Sequence, residues 1–387
     1  MAEKQKRKKI RVLRIVWIAL AVVAVILGGL FAAARTFGRV PLSNLADVFI
    51  SFSAKDGSSF PYLVDSESVV RMTSVGSGIE VLRSDKLDIL THQGAVLQSV
   101  QHTFTTPAVD VRQGRTLLYD RGGVRYMLLS KTRTLYTGKA ERDILTASLD
   151  DNGRYAIATV GDGAKSMLTV YKAPGEAFFQ YKCVSEYITD IAFLRGGIAI
   201  TVTGVRSAVP YSRLLILDLK KGEVVSDTSC AETSLFYVHG EGRTAAACSN
   251  SMITRVHWKE KIEELSFGSD TLQFFCPQED GRNTLVLLTL GNEHESKLRG
   301  LQKNGETAFE AACGERITAA SRNGGYTSVL TDSAVLTYNN TGAQIGTITL
   351  TRSARDVCLS ERSAYVLFHD RIERFPAAGE HAQKEKS

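Results

Sequence analysis

The stretch ASLDDNGRYAIATVGDGAKSMLTVYKAPGE, residues 147–176, has the pattern of a turn, a strand, a second turn and a second strand. Asp151, Asn152 and Gly153 suit the first turn because Asn and Gly adopt positive φ at little steric cost. Residues 154–160 then place small or apolar side chains on both faces, which predicts a strand that is covered on both sides. One hairpin is not stable alone in water, so it must pack between neighbouring layers.

Similar units recur along the whole chain. Each begins with a short apolar strand, and successive starts lie about 36 to 47 residues apart, close to the period of four-stranded propeller blades. After a first unit at 68–103, these strands are AVDV at Ala108, ILTASL at Ile144, ITDIAF at Ile188, LFYV at Leu235, LQFF at Leu272, ITAAS at Ile317 and VCLS at Val357. A β-sandwich lacks this period, and a parallel β-helix has a shorter one. We therefore predict an all-β, WD40-like β-propeller with 7 or 8 blades, eight being favoured.

The two ends of the repeat region predict how the ring closes. The last unit offers only three strands, near residues 355–360, 364–369 and 371–375, before a disordered polar tail at 377–387. The segment FPYLV, residues 60–64, is a short apolar β run with no local partner. We predict that it supplies the missing outer strand of the last blade and buries Phe60, Leu63 and part of Tyr62, with Pro61 tolerated at the sheet edge. The propeller then spans 59–376 and follows a linker at 35–58.

The N-terminal region has a different composition. An uncharged run begins at Ile15 and ends at Ala34, and as a helix it would span about 30 Å, the thickness of a bilayer core. Residues 1–14 before it carry seven Lys or Arg. The positive-inside rule therefore predicts a cytoplasmic tail at 1–14, a single transmembrane helix at 15–34 that anchors the chain in the cytoplasmic membrane, and a propeller outside the cell. A signal peptide cleaved after the alanines at 32–34 is the alternative.

The net charge excludes one class of partner. The chain carries +6 in total and residues 1–35 carry +7, so the rest of the chain is close to neutral at −1. A near-neutral domain lacks the basic surface that binds the phosphate backbone, so we expect no nucleic-acid partner.

Six cysteines lie in the predicted propeller: Cys183, Cys230, Cys248, Cys276, Cys313 and Cys358. Their even number would permit disulfides outside the cell. None forms a CxxC pair, and several fall within apolar strands, where Cys behaves as a small hydrophobic residue. We expect free buried thiols, with one or two disulfides or a metal site as alternatives.

Catalytic motifs are absent from the sequence. It contains no GxSxG, HExxH, P-loop or Rossmann fingerprint. His257 and His294 lie in or beside predicted turns, where an exposed polar loop residue is the simpler interpretation. Asp150, Asp151 and Asn152 resemble oxygen ligands for Ca²⁺, but the same residues are ordinary hairpin turn formers. We therefore predict no catalytic, cofactor-binding or metal-binding residues.

Three segments carry a resemblance to a known family. They are FPYLVDSESVVRMTSVGSGIEVLRSDKLDILTHQGAVLQSV from Phe60, TPAVDVRQGRTLLYDRGGVRYMLLS from Thr106 and EYITDIAFLRGGIAITVTG from Glu186. Together with the basic N-terminus and the apolar span, they resemble an uncharacterised family of membrane-anchored β-propeller proteins from Clostridia-type Gram-positive bacteria. This resemblance implies architecture and transfers no catalytic residue. The Trp-bearing quinoprotein repeat, the terminal Trp-Asp of WD repeats and the Asp boxes of sialidases are all absent, so no cofactor is implied.

A propeller presents loops at two faces of a rigid ring, which suits recognition of a protein or a cell-wall polymer. We therefore predict an extracytoplasmic binding or scaffolding module of the cell envelope. The alternative is an extracytoplasmic hydrolase or lyase with its site in the central pocket. Converging acids, His or Tyr at one mouth of the channel would favour the enzyme, whereas an exposed aromatic patch would favour the scaffold.

Overall fold

The computed structural model describes residues 60–231, 234–258, 260–277, 283–289, 295–303 and 305–382. Within these ranges the strands form eight sheets. Strand β1 (Tyr62–Leu63) comes first in the chain and belongs to the last sheet. A single 3-10 turn at Ser66–Ser68 connects it to the first sheet.

The first four blades are antiparallel meanders whose four strands follow one another in sequence. Blade 1 contains β2 (Val69–Val75), β3 (Gly78–Arg83), β4 (Lys86–Leu90) and β5 (Val96–Gln101). Blade 2 contains β6 (Pro107–Arg112), β7 (Arg115–Asp120), β8 (Arg125–Ser130) and β9 (Thr134–Lys139). Blade 3 contains β10 (Ile144–Leu149), β11 (Tyr155–Val160), β12 (Ser166–Ala173) and β13 (Glu176–Cys183). Blade 4 contains β14 (Tyr187–Leu194), β15 (Gly197–Arg206), β16 (Val209–Asp218) and β17 (Glu223–Ala231).

The remaining blades repeat this order, and β1 completes the sheet of blade 8. Blade 5 contains β18 (Tyr237–Glu241), β19 (Thr244–Cys248), β20 (Met252–His257) and β21 (Glu260–Ser266). Blade 6 contains β22 (Thr271–Cys276), β23 (Asn283–Leu288), β24 (Ser296–Leu301) and β25 (Thr307–Cys313). Blade 7 contains β26 (Ala319–Asn323), β27 (Tyr326–Leu330), β28 (Ala334–Asn339) and β29 (Gln344–Thr349). Blade 8 contains β30 (Ala354–Ser360), β31 (Ser363–Phe368) and β32 (Arg371–Pro376), and β33 (Gly379–Ala382) follows.

The first strand of each blade is the inner strand of a ring. Inner strands of neighbouring blades are in contact, and β30 of blade 8 contacts β2 of blade 1. The ring is therefore closed, and the predicted eight-bladed β-propeller is confirmed.

The hairpin at 147–176 is the central pair of blade 3. Tyr155 pairs with Tyr171 and Val160 with Ser166, and β11 is buried along nearly all its length. Gly153 has φ +83 in the turn before β11, a conformation that only glycine adopts without strain. The predicted strand with two covered faces is confirmed.

The ring closes as the sequence predicted, with one correction. Strand β1 pairs antiparallel with β32, Tyr62 opposite Ile372, and the Val64 amide donates to the Asp370 carbonyl at 3.1 Å. The expectation that Leu63 is buried is wrong, since its side chain is 72% exposed. Side chains alternate across a strand, so Phe60, Tyr62 and Val64 share the inner face and Leu63 points to solvent.

The C-terminal boundary also differs from the prediction. Residues 379–382 were expected in a polar tail, but they form β33, which pairs parallel with β29 and gives blade 7 a fifth strand. Gly346 permits this contact, because a Cβ at this position would collide with the Ala377 carbonyl. The edge of β29 offers unpaired backbone groups, and even a polar segment can satisfy them. Residues 383–387 lie outside the described ranges.

The hydrophobic core lies between the blades. At the interface of blades 3 and 4 the fully buried side chains are small or aliphatic, among them Ala156, Leu168, Val170, Ile198 and Ile200. The other interfaces contain separate clusters of buried apolar side chains, which include several tyrosines between blades 2 and 3. Each blade is therefore stabilised by both of its neighbours.

In the part of the chain that the structure describes, no helix is long and apolar enough to cross a membrane. The predicted tail at 1–14, transmembrane helix at 15–34 and linker at 35–58 lie outside the described residues.

Candidate functional site

Three aspartates on inner strands connect neighbouring blades. Asp110 of blade 2 accepts a hydrogen bond from the Leu149 amide of blade 3 at 2.7 Å. Asp190 of blade 4 accepts one from the Val238 amide of blade 5 at 2.8 Å. Asp356 of blade 8 accepts one from the Met72 amide of blade 1. These carboxyl groups satisfy backbone donors across blade interfaces and so help to hold the ring together.

A serine takes the same role between blades 7 and 8. The Ser321 hydroxyl accepts a hydrogen bond from the Leu359 amide at 2.9 Å. The position therefore requires a short side chain with an acceptor oxygen, and a carboxylate is not essential there.

Burial changes the acidity of two of these aspartates. It raises the pKa of Asp190 to about 7, while hydrogen bonds from the Val238 and Ile191 amides act in the opposite direction. It raises the pKa of Asp356 to about 6, opposed by amides of Val357 and Met72 and by the charge of Arg71. Raised pKa values often accompany catalytic acids, but here each carboxyl is also held by backbone donors.

Glu80 on β3 is the most deeply buried acid of this region. Its Oε2 accepts a hydrogen bond from the Thr116 hydroxyl of blade 2 at 2.6 Å, and its Oε1 has no partner among the described residues. Burial raises its pKa to about 8, and the Thr116 hydrogen bond only partly offsets this. Glu80 is therefore protonated at neutral pH and joins blades 1 and 2 as a neutral group.

Exposed apolar side chains lie at or just before the starts of the inner strands of blades 4 and 5. Val184, Tyr187, Phe236 and Tyr237, here called the mouth patch, have exposed fractions between 39% and 72%. Tyr187 and Tyr237 are the first residues of β14 and β18, and the Thr189 hydroxyl donates to the Leu235 carbonyl at 3.1 Å. Because the inner strands run in the same direction, their starts lie at the same mouth of the ring.

Contacts with neighbouring side chains hold the aromatic rings of the mouth patch in place. The rings of Phe236 and Tyr237 lie 5.1 Å apart edge to face, and Tyr237 lies 6.4 Å from Phe275 of blade 6. The Lys165 ammonium lies over the Tyr187 ring, 5.4 Å from its centroid. These rings form a pre-ordered surface, in which little conformational entropy is lost on binding.

Of the candidate residues considered in the sequence, His257 lies in blade 5 and Asp150 in blade 3. His257 is an exposed strand residue whose Nδ1 lies 2.9 Å from the Thr244 hydroxyl, and His294 lies outside the described ranges. Asp150 accepts hydrogen bonds from the Asn152 and Arg154 amides, both at 2.8 Å. The hairpin interpretation of Asp150 is therefore confirmed.

All six cysteines are free and buried, as expected. Burial raises the pKa of Cys276 to about 12 and that of Cys183 to about 11. Among the described residues, no group of His, Cys, Asp and Glu could hold a metal ion.

The inter-blade aspartates were missed at the sequence level, although a signal exists. Asp110, Asp190 and Asp356 occur in VDV, TDI and RDV, each inside the first strand of a unit. An acid followed by a β-branched residue at one place in the repeat indicates a shared structural role. The mouth patch has no such signal, because its members are ordinary strand and connecting residues, and only the ring places them at one mouth.

These features define a β-propeller that is held together across its inner strands. The solved structure of Saccharomyces cerevisiae Sqt1 is similar, with a TM-score of 0.57 at 8% identity, covering 82% of this chain and 98% of that chain. BamB from Moraxella catarrhalis has a TM-score of 0.52 at 11% identity, covering 82% and 99%. Citrobacter koseri AztD has a TM-score of 0.50 at 13% identity, covering 77% and 88%. Identities this low show a shared fold and nothing about function.

The chain belongs to the DUF5711 family, a family of unknown function, which matches residues 61–374. The match begins one residue before β1 and ends within β32, so it covers the two strands that close the ring. No curated protein sequence matches this chain significantly. The resemblance to an uncharacterised propeller family is confirmed, whereas the membrane anchor and the Clostridia-type source remain predictions.

Proposed function

We propose that this chain is a non-catalytic binding or scaffolding module of the cell envelope that recognises a protein partner through the mouth patch. The mouth patch is the observation that carries the proposal. Monomeric proteins expose single apolar residues routinely, but adjacent exposed aromatic residues at a functional face indicate an interaction surface. Tyr is among the residues that contribute most to the affinity of protein interfaces.

The inner-strand acids support binding over catalysis. A hydrolase or lyase in the central pocket would need acids that exchange protons with a substrate. The inner-strand acids instead accept hydrogen bonds from backbone amides of the next blade, as Asp110, Asp190 and Asp356 do. Proton uptake by these groups during a catalytic cycle would weaken the hydrogen bonds that they accept across blades, so we assign them a structural role.

The proposed location rests on the N-terminal sequence. The apolar run at 15–34 follows seven basic residues, an arrangement typical of a single-pass anchor with its N-terminus inside. The propeller would then stand outside the cytoplasmic membrane, where protein partners and cell-wall polymers are both accessible. A polymer ligand is an alternative outcome of the test below.

Site-specific photo-crosslinking tests the mouth patch. A photo-reactive phenylalanine analogue replaces Tyr237 in intact cells, and the matched control carries it at Phe178, which is similarly exposed on the outer strand β13. We expect a discrete protein adduct from position 237 only. With the purified partner, Tyr237→Ala should weaken binding by about tenfold or more, as at an interface hot spot, and Phe178→Ala should leave it within about twofold.

Two outcomes would contradict this function. Identical adducts from positions 237 and 178 would show that neighbours are captured at random. An adduct with carbohydrate and no protein would assign the mouth patch to a polymer instead.

A further inference from the structure

A second surface projects from the same mouth of the ring as the mouth patch. It is formed by β15 and β16 of blade 4, which at ten residues each are the longest strands in the described part of the chain. Strand β14 begins at Tyr187, which pairs with Thr203, and β17 ends at Ala231, which pairs with Tyr211. Among the described residues, residues 205–210 therefore have strand partners only within their own hairpin, and they are here called the hairpin tip.

A tight turn makes the hairpin tip narrow. Arg206 pairs with Val209, so the two residues between them, Ser207 and Ala208, form the turn. Both have positive φ, which is the geometry of a type I′ turn, whose twist matches that of paired strands. Because Arg206 lies three residues beyond Thr203, the tip extends about 10 Å past the start of β14.

The hairpin tip is apolar on both of its faces. Nearer the middle of β15, Ile198 packs in the cluster shared with blade 3 and Ala199 in the cluster shared with blade 5. Side chains alternate across a strand and a cross-strand pair shares one face, so Val205 faces the side of blade 5. By the same alternation Arg206 and its partner Val209 face the side of blade 3. Val205 is 69% exposed and Val209 is 47% exposed, so each face offers an apolar side chain to a partner.

Hydrogen bonds fix the base of the hairpin on both sides. The Tyr211 hydroxyl donates to the Glu186 carboxylate at 2.8 Å, and the Arg213 guanidinium donates to the same oxygen at 2.7 Å. On the other side, the Ser212 hydroxyl accepts a hydrogen bond from the Leu235 amide at 3.2 Å. Glu186 and Leu235 lie in the two connections that carry residues of the mouth patch. The hairpin therefore stands between these connections, and its position is fixed before a partner binds.

A cation without an acidic partner lies at the hairpin tip. The Arg206 guanidinium lies over the Tyr211 ring, 5.1 Å from its centroid, and it forms no ion pair among the described residues. The Glu186 carboxylate at the base of the hairpin is already paired with Arg213. Lys165, beside the mouth patch, likewise has no acidic partner in the described part of the chain. This surface is therefore complementary to a partner that carries acidic residues.

We propose that the hairpin tip inserts into an apolar cleft of a protein partner, and that Arg206 pairs with an acidic side chain of this partner. A flat partner would cover one face of the tip and leave the valine of the other face in water, whereas a cleft covers both. The inference rests on the proposed function in taking the partner to be a protein, but it concerns residues outside the mouth patch and is tested at those residues.

Photo-crosslinking from both faces tests the insertion. The photo-reactive phenylalanine analogue replaces Val205 or Val209 of the full-length chain in intact cells. We expect both positions to give an adduct with the same protein, because a cleft contacts both faces of the tip. The matched control position is Val224, which is 40% exposed on the outer strand β17 of the same blade and should not give this adduct.

Binding of the purified adduct protein tests the chemistry of the contact. Replacing both tip valines, in the double variant Val205→Thr with Val209→Thr, keeps the β-branched shape and removes the apolar surface, so it should weaken binding by about tenfold or more. Arg206→Glu should have an effect of similar size. The controls Val224→Thr and Lys220→Glu should leave affinity within about twofold, since Lys220 is exposed in the turn before β17, at the opposite end of the blade. Thermal unfolding of each variant verifies that it is folded.

Several results would overturn the inference. They are an adduct from one of the two faces only, different proteins from the two faces, an adduct with lipid or with a second copy of this chain, no adduct at all, or affinity that survives in the double valine variant. An adduct from position 237 without one from position 205 or 209 would overturn this inference and leave the proposed function standing. A shared adduct from positions 205 and 209 without one from position 237 would do the reverse.

Discussion

At the scale of single residues, Glu80 shows how burial alters an acid that the sequence presents as ordinary. It lies in the alternating strand GIEVLR, where a charged residue would normally point to solvent. In the propeller both faces of β3 are covered, and among the described residues its carboxyl has Thr116 as its hydrogen-bond partner. The neutral form is then favoured, and the group contributes as a hydrogen-bonded acid instead of a charge.

This predicts a pH dependence of stability that Glu80→Gln removes. The native pKa of about 8 lies above the value of 4.5 for a solvent-exposed glutamate, so the native state retains a proton that the unfolded chain releases. Stability therefore falls as the pH rises from about 4.5 to about 8. Between pH 5 and pH 8, wild type should lose about 3 kcal/mol more than Glu80→Gln, measured by urea unfolding.

Comparison with the variant is necessary because Asp190 and Asp356 also have raised pKa values and act in the same direction. They are present in both proteins, so their contributions cancel in the difference. Equal pH dependence in the two proteins would show that Glu80 is ionised in the native state.

At the scale of elements, a strand of two residues closes the ring. Strand β1 is short, but its neighbouring side chains contact two blades. The ring centroids of Phe60 and Tyr365 of β31 lie 5.1 Å apart. The Tyr62 hydroxyl donates a hydrogen bond to the Asp88 carboxylate of blade 1 at 3.0 Å. The segment therefore contacts the last blade and the first blade together. Its side-chain contacts therefore add to the two backbone pairings in closing the ring.

The variants Phe60→Ala and Leu63→Ala compare a packed side chain with an exposed side chain of the same segment. Phe60 packs into the cluster between blades 8 and 1, so its truncation should lower the free energy of unfolding by about 2 kcal/mol or more. Leu63 is exposed on the same segment, so its truncation should change stability by less than about 0.5 kcal/mol. Thermal or urea unfolding measures both.

One outcome of these unfolding measurements would contradict the role of the segment. If both variants unfold like wild type, the segment at 60–64 does not close the ring. A chain that begins at residue 66 should then be as stable as one that begins at residue 56.

At the scale of the whole molecule, the closed ring is a rigid body whose connection to the membrane is still a prediction. The described residues supply two surfaces, the mouth patch and the hairpin tip. A partner of the mouth patch needs access to it, and the N-terminal charge pattern predicts that the propeller lies outside the cell.

Selective proteolysis tests this orientation. A protease recognition sequence is placed in the linker at 35–58, and an epitope tag is added before residue 1. Protease added to intact protoplasts should release the propeller into the medium and leave the tag protected. Release only after lysis would place the propeller in the cytoplasm. A mature chain that lacks residues 1–34 by mass would show that the N-terminal segment is a cleaved signal peptide.

The sequence by itself determined the repeat, the fold class and the closing segment. These follow from local patterns, because a strand needs alternating side chains, a turn needs Asp, Asn or Gly, and a blade needs a fixed length of chain. The same patterns located the hairpin at 147–176 and the buried cysteines. They also assigned Asp150 correctly to a turn.

Only the tertiary structure decided which residues become neighbours. Three features depend on residues distant in sequence: the buried face of β1, the pairing of β33 with β29 and the raised pKa of Glu80. The position of Tyr187 and Tyr237 at one mouth of the ring also depends on how the blades are arranged. Burial and contact across blades are properties of the closed ring, and one strand's sequence does not contain them.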